Sequence, residues 1–320
     1  MDEFGFDITL QNFEAELIHG STTQPVLLDI WAPWCGPCRT LGPLLEKLEV
    51  AYAGRFRLAK LNSDDQPQIA AQLSQMFGVR SIPFCVMFSQ GQPVDGFVGA
   101  LPESQIREFL DKHVPSPDEL EAQAEAQEAE ALLEDGDADA AVQKLEAAVA
   151  ADPNNDAARF DLIRLLIESG DVAHARAVFD PVSGRYGLDA RLVAAGHWIA
   201  AVENAAGSRD AGALQAAIAA NRRDFDARFE WAQNHFAASR FTEAMDELLE
   251  IIMRDKSWRD ELARKTYVAI LEIITKPQPK AAAAEPGAAK GGLELTGKAA
   301  IPSGDPVVDQ YRRKLSMALF

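Results

Sequence analysis

The sequence predicts an α/β domain followed by an all-α domain of paired helices. An apolar run at 26–32, typical of a buried strand, leads directly into a Cys-x-x-Cys motif at 35–38, and a helical pattern follows. After Pro115 the composition shifts to Ala, Glu, Leu and Arg, and the strand pattern ends. Within that later region the surroundings of Gly136 recur around Gly170, at a spacing of 34 residues. A strand–helix domain followed by repeated helix pairs accounts for all three observations.

The first 114 residues alternate between helical and strand patterns. Helices are predicted at 13–18, 35–52, 69–77 and 103–114, and strands at 26–32, 56–62, 84–89 and 94–99. The run 26–32 is apolar on both sides of its one acid, Asp29, as expected of a strand buried on both faces. The last two strands form a hairpin around residues 90–93, which contain Gly and Pro.

The Cys-x-x-Cys motif lies where the buried strand meets the start of a helix. The unpaired N–H groups and partial positive charge of a helix N-terminus favour a thiolate at Cys35, and the thiolate is the nucleophilic form. Cys38 lies one turn deeper, where it can attack a mixed disulfide at Cys35 and release the partner reduced. The motif therefore predicts thiol–disulfide exchange.

Two other interpretations of the cysteines are a zinc site and a structural disulfide. A structural zinc site needs four ligands. Cys85 is the only other cysteine, and the five histidines show no paired ligand spacing. A structural disulfide between Cys35 and Cys38 would close a very small loop. Cys85 falls on the strand after Pro83, where we expect a small core residue.

Residues 118–275 carry the helical repeat. Its period is that of the tetratricopeptide repeat, a helix–turn–helix unit. Asp-Pro-Asn-Asn at 152–155 resembles the closing turn of such a unit, and Ala141 and Ala148 fall where its two helices must pack closely. Stacks of these units present concave surfaces to other proteins and carry no chemistry of their own. The alternative is a generic helical bundle with chance periodicity.

The end of the chain divides into a linker and a helix. Residues 276–304 are rich in Pro, Ala, Gly and Lys, which predicts a flexible linker. Residues 305–320 begin with an Asp-Pro helix start and form an amphipathic helix. Its apolar stripe consists of Val308, Tyr311, Leu315 and Leu319. Its basic cluster consists of Arg312, Arg313 and Lys314. Such a helix either folds back on the acidic repeats or docks on a partner.

The chain is acidic, with a net charge of −18, and 31 of its 49 acidic residues lie within 115–275. This charge disfavours nucleic acid and anionic membranes as general partners. No run is apolar enough to span a bilayer, and the first residues lack the basic and apolar regions of a secretory signal. Three cysteines, two of them in a reactive pair, fit a reducing compartment. We expect a cytoplasmic protein.

Four segments of residues 1–114 resemble thioredoxin, in the family's order. They are Leu-Asp-Ile-Trp-Ala-Pro-Trp-Cys-Gly-Pro-Cys at 28–38, Lys-Leu-Asn at 60–62, Gly-Val-Arg-Ser-Ile-Pro at 78–83, and the turn and helix at 99–110. The resemblance implies a thioredoxin fold in which Cys35 attacks and Cys38 resolves. It makes Asp29 the buried carboxylate that assists proton transfer at Cys38, and it places Lys60 nearby. From the residues alone, Asp29 could instead face solvent at a strand end, and Lys60 could be solvated.

The same resemblance implies how partner proteins bind. Pro83 would be cis and lie against Cys35, so that the Ile82 backbone faces an extended substrate segment. An apolar rim for partners would comprise Trp31, Trp34, Ile82, Pro83, Gly99 and Ala100. The resemblance calls for no metal and no other cofactor.

The order of segments resembles the bacterial chaperedoxins, a family of co-chaperones. The resemblance implies that the chain holds unfolding or oxidised client proteins, guards their cysteines through mixed disulfides during oxidative stress, and transfers them to the chaperonin GroEL. Thioredoxin reductase would recycle the cysteines. The family's terminal helix docks on the chaperonin, which favours the docking role for Tyr311, Arg312, Arg313, Leu315 and Leu319. The alternative function is a redox-independent adaptor or holdase, in which the Cys-x-x-Cys motif plays little part.

Overall fold

The computed structural model describes residues 5–185, 187–275 and 305–319. These residues fall into two compact units, which divide between Leu120 and Glu121. The first unit is a mixed sheet with helices and the second is helical, so the expected fold class is confirmed. The linker predicted at 276–304 lies outside the described residues.

A five-stranded sheet with the strand order β1-β3-β2-β4-β5 forms the centre of the first unit. The strands are β1 (Phe6–Asp7), β2 (Val26–Trp31), β3 (Arg57–Asn62), β4 (Phe84–Ser89) and β5 (Gln92–Val98). The helices are α1 (Phe13–His19), a π-helix that continues as Gly20–Thr23, α2 (Gly36–Ala51), α3 (Pro67–Phe77) and α4 (Glu103–His113). Strands β1, β3 and β2 are parallel, whereas β4 runs antiparallel to both β2 and β5.

Successive residues of the central strand β2 serve two different cores. Leu28 and Ile30 pack with residues of α1 and α3, and Leu27 packs with residues of α2 and α4. Because side chains alternate along a strand, each face of the sheet is covered by a pair of helices. This explains why the run 26–32 is apolar except for Asp29, since both faces of β2 are buried.

Two features of the sheet differ from the sequence prediction. The short edge strand β1 was not predicted, because two residues carry no periodic signal. The hairpin between β4 and β5 has a tighter turn than the four residues expected. Gln90 and Gly91 both have left-handed backbones, with φ of 54° and 77°. Two such residues form the tight turn that suits the twist of a hairpin, so β5 starts at Gln92.

The second unit consists of helices packed around one core. They are α5 (Pro117–Glu134), whose first four residues belong to the first unit, α6 (Ala138–Ala151), α7 (Asp156–Glu168), α8 (Val172–Phe179), α9 (Ala190–Ala205), α10 (Ala211–Ala220), α11 (Phe225–Ala237), α12 (Phe241–Ile252), α13 (Trp258–Ile274) and α14 (Pro306–Leu319). None of the helices that the structure describes could cross a membrane.

The turns after α5 and α7 have the same geometry. Gly136 and Gly170 are left-handed, with φ of 83° and 87°. The next residue of each turn, Asp137 or Asp171, accepts a hydrogen bond from an N–H in the first turn of the following helix. Glycine relieves the left-handed position and aspartate caps the new helix. The 34-residue period therefore corresponds to two turns of the same geometry.

A third turn of this shape follows α11, with Ser239 in place of glycine at φ of 57°. The preceding helices also correspond, because Arg159 and Arg228 are both buried and both donate to a carbonyl in the turn before their helix. The segments Ala-Arg-Phe at 158–160 and 227–229 carry this likeness in the sequence.

The last helix, α14, packs on α12 and α13. Val308 and Tyr311 are buried in the helical core. The Tyr311 hydroxyl donates to Asp246 at 3.1 Å, and the Tyr267 hydroxyl donates to the Tyr311 carbonyl at 2.8 Å. Lys314 also donates to Asp246, at 2.8 Å. The helix therefore lies on the repeats, as one of the two expected arrangements requires.

Candidate active site

Cys35 and Cys38 lie at the start of α2 and are joined by a disulfide. Cys35 is the N-cap of the helix, and its N–H donates to the Ala32 carbonyl at 3.1 Å. Both cysteines are 4% exposed. Strand β2 thus ends four residues before the helix begins, and this short loop fixes where the sulfurs lie.

The Cys35 sulfur accepts a hydrogen bond from the Cys38 N–H at 3.2 Å. Pro37 has no N–H, so the Cys38 group is one of the few donors in the first turn. A donor at a helix N-terminus stabilises negative charge on the sulfur that caps it. This geometry supports the predicted thiolate at Cys35 in the reduced protein.

The loop before β4 closes against the disulfide. The Ile82–Pro83 peptide bond is cis, and Pro83 is buried. Ile82 and Trp31 are half-buried and pack against the cluster of Ala32, Cys35 and Cys38. The Gly99 N–H donates to the Pro83 carbonyl at 2.8 Å, which ties the end of β5 to the same loop.

Trp34 stands out from the surface beside the disulfide. Its side chain is 68% exposed, and its indole N–H donates to the Asp64 carboxylate at 3.1 Å. Trp34 and Ile82 line a groove of about 870 Å³, whose other wall is formed by α3 and the segment 78–81. Ala100 is exposed and Gly99 is half-buried. The residues that line this groove do not include Cys35 or Cys38.

Asp29 is buried in the middle of β2 and is 2% exposed. Burial raises the pKa of its carboxyl to about 6, while a hydrogen bond from Cys85 and the charge of Lys60 oppose the rise. Asp29 pairs with Lys60 on β3 and with Cys85 on β4, so all three lie on the sheet face that α2 covers. Asp29 is therefore buried within the sheet and does not face solvent at a strand end.

Lys60 and Cys85 are the two neighbours of Asp29 on the sheet. The Lys60 ammonium forms an ion pair with Glu46 of α2 and is half-buried, so it is not a freely solvated lysine. Cys85 is fully buried, as expected, and its thiol donates to Asp29 Oδ1 at 3.7 Å. Sequence reasoning missed this contact and Glu46, since both depend on which strands and helices are neighbours.

The partner residues expected on α14 divide into two groups. Arg312 and Arg313 are exposed, whereas Tyr311 is buried in the helical core. Leu315 and Leu319 are half-buried against that core. In this arrangement a partner reaches the basic residues, but it reaches the apolar stripe only after the helix leaves the repeats.

A reactive cysteine pair at a helix start, a cis-proline loop beside it and a buried carboxylate on the strand beneath define a thiol–disulfide exchange domain. Among the residues that the structure describes, no cluster of His, Cys, Asp and Glu could hold a metal ion.

The comparisons with known proteins agree with this class. The thioredoxin family model matches residues 6–112. The chain is 40% identical over 107 residues to thioredoxin 1 of Nostoc, across 94% of that protein and 33% of this chain. It is 44% identical over 109 residues to thioredoxin 2 of Chlorobaculum tepidum, across 94% of that protein and 34% of this chain. A thioredoxin of Haemophilus influenzae is 42% identical over 103 residues, which are 91% of that protein and 32% of this chain.

The chain belongs to the thioredoxin family through its first third. Two tetratricopeptide repeat models match residues 132–196 and 204–286, which agrees with the repeated turns of the second unit. The protein therefore combines a thioredoxin domain with helical repeats of a kind that form protein-binding surfaces.

Proposed function

We propose that this protein is a protein-disulfide reductase that also acts as a co-chaperone. The observation that carries the redox half is the Cys35–Cys38 disulfide at the N-terminus of α2, the helix that covers the sheet face on which Asp29 is buried. Each of these features favours a step of thiol–disulfide exchange. The finer assignments to clients, chaperonin and reductase rest on the likeness of the segment order to the chaperedoxins.

In the proposed reaction the Cys35 thiolate attacks one sulfur of a client disulfide, and the other client sulfur leaves as a thiolate. Cys38 then gives its proton to the Asp29 carboxylate and attacks Cys35. The mixed disulfide breaks, the second client sulfur leaves as a thiolate, and Cys35–Cys38 becomes the disulfide. The client gains two electrons and this protein loses two. Thioredoxin reductase restores the dithiol, which suits a cytoplasmic protein.

Insulin reduction in the presence of thioredoxin reductase tests the redox half. We expect turnover by the intact chain and none by the Cys35→Ser variant, because that variant lacks the attacking sulfur. The Met87→Leu variant is a matched core control and should keep full activity, since Met87 packs in a different buried cluster from Cys35 and Cys38. Equal rates for the intact chain and Cys35→Ser would leave only the redox-independent holdase.

In the co-chaperone half, the repeats hold clients and α14 docks on the chaperonin GroEL. With α14 packed, its outer surface offers Arg312 and Arg313 together with Met317, which is 75% exposed. Arg313 and Met317 lie one turn apart, so charge and apolar surface face a partner side by side. The basic residues are unusual in so acidic a chain and suit an acidic or amphipathic groove.

Copurification with the chaperonin tests this docking role. Deleting residues 305–320, or changing Arg312 and Arg313 together to alanine, should abolish or strongly reduce recovery, while insulin reduction stays intact. Arg222 and Arg223 form another exposed arginine pair, between α10 and α11, and their double alanine variant is the matched control. Recovery that is unchanged after the deletion rejects the docking role and leaves the redox half standing.

A further inference from the structure

Cys85 takes no part in the exchange reaction described above. Its thiol nevertheless contacts the Asp29 carboxylate, which accepts the proton of Cys38 in that reaction. Cys85 lies opposite Asp29 on the antiparallel neighbour strand, and its sulfur is 3.7 Å from Asp29 Oδ1. The thiol thus engages one of the two carboxylate oxygens.

We propose that Cys85 is a positioning residue of the exchange reaction: its thiol holds Asp29 by Oδ1 and so orients the carboxylate that takes the proton of Cys38. The inference rests on the proposed reductase function. It gives this chain's third cysteine a role that requires neither oxidation nor contact with the client.

The surroundings keep Cys85 in the donor form. Burial raises the pKa of the Cys85 thiol well above its ordinary value, and the negative charge of Asp29 raises it further. A thiol that stays protonated can donate to the carboxylate throughout the neutral range. Cys85 is fully buried, so a client disulfide does not reach it.

Three elements set the charge state of Asp29. Cys85 faces it from β4, Lys60 faces it from β3, and Glu46 of α2 forms an ion pair with Lys60. Burial alone would favour the neutral acid, and the thiol and the ammonium both favour the carboxylate. Removing the thiol removes one of these two supports and should raise the pKa of Asp29.

The test measures the pH dependence of single-turnover disulfide reduction by the full chain. In the unsubstituted protein the rate should rise with pH as Cys35 and Asp29 ionise, and the part of the rise that follows Asp29 should have its midpoint near 6, the pKa of that carboxyl. Cys85→Ala should move the midpoint up by about one pH unit, which lowers the rate about five-fold at pH 6 and about two-fold at pH 7. Titration of the Asp29 carboxyl by NMR should show the same shift, which a packing defect alone would not produce.

Four variants make the result decisive. Cys85→Ser keeps a hydrogen-bond donor and should restore the midpoint of the unsubstituted protein. Cys85→Val fills the space without a donor and should show the raised midpoint expected of Cys85→Ala. It takes the place of Cys85→Ala if the alanine variant folds poorly. Met87→Leu alters the same core and should leave the midpoint unchanged. A midpoint in both donor-free variants equal to that of Met87→Leu overturns the role of Cys85. Absence of turnover above Cys35→Ser in the unsubstituted protein would instead reject the reductase function itself.

Discussion

Asp29 shows at the scale of one residue how burial produces function. A charged carboxyl in an apolar strand costs stability, and the Cys85 thiol and the Lys60 ammonium offset part of that cost. Its pKa of about 6 lies close to physiological pH, which suits the proton carrier that the proposed reaction requires. The local sequence left a solvent-facing Asp29 at a strand end as an alternative, and the resemblance to thioredoxin favoured the buried carboxyl that is observed.

Asp29 should also make stability depend on pH. Its folded pKa of about 6 exceeds the ordinary value of 3.8, so the folded state binds the proton more tightly than the unfolded state. The associated stability is fully present below pH 3.8 and is lost as the pH rises through 6. Asp29→Asn should therefore stabilise the first unit above pH 6, by roughly 3 kcal/mol at most, and have little effect near pH 4.

Urea unfolding of both proteins at pH 4 and pH 7 measures this difference. The Asp64→Asn variant is a surface control, because Asp64 is exposed and its loss should change stability little at either pH. A stability gain for Asp29→Asn that is the same at both pH values would contradict the raised pKa.

Cys85 marks the limit of prediction from local sequence at this scale. Its burial could be predicted from its place on an apolar strand. Its contact with Asp29 could not, because the contact depends on the antiparallel register between β2 and β4, which brings together residues 56 positions apart. The same holds for the ion pair between Lys60 and Glu46.

At the scale of elements, the repeated turns explain which helix pairs the sequence reveals. Two of the turns can be recognised in the sequence by Gly136 and Gly170, because a left-handed backbone favours glycine. The third turn lacks this glycine signal, since Ser239 occupies the equivalent position. The tight hairpin turn at Gln90 was missed for a similar reason, because glutamine rarely signals a left-handed residue.

The positive φ of Ser239 should strain the backbone, and a glycine at this position should relieve that strain. Ser239→Gly should stabilise the second unit by about 0.5–1 kcal/mol, because glycine adopts positive φ without a steric penalty. Ala238→Gly, one residue earlier at φ of −91°, is the matched control and should be neutral or destabilising. Urea unfolding followed by helical circular dichroism measures both, and a loss of stability in Ser239→Gly would refute the strain at this turn.

The whole molecule combines a thioredoxin domain, which carries the cysteine pair, with a domain of helical repeats. The thioredoxin domain carries its chemistry in residues 29–38 and the cis-proline loop, which are local and recognisable. The repeats are expected to contribute a binding surface, which depends on how the helices stack. The packing of Tyr311 illustrates this, because an amphipathic pattern shows that a helix has an apolar face and does not show what covers it.

The most direct test of the account is the pH dependence of Cys35 alkylation in the reduced Cys38→Ala variant. Cys85 is fully buried, so a small alkylating probe reports on Cys35 in the folded protein. We expect a reaction midpoint well below the ordinary thiol value of about 8.5, because the sulfur caps a helix N-terminus. A midpoint at the ordinary value, with the reactivity of a free thiol, would contradict the account.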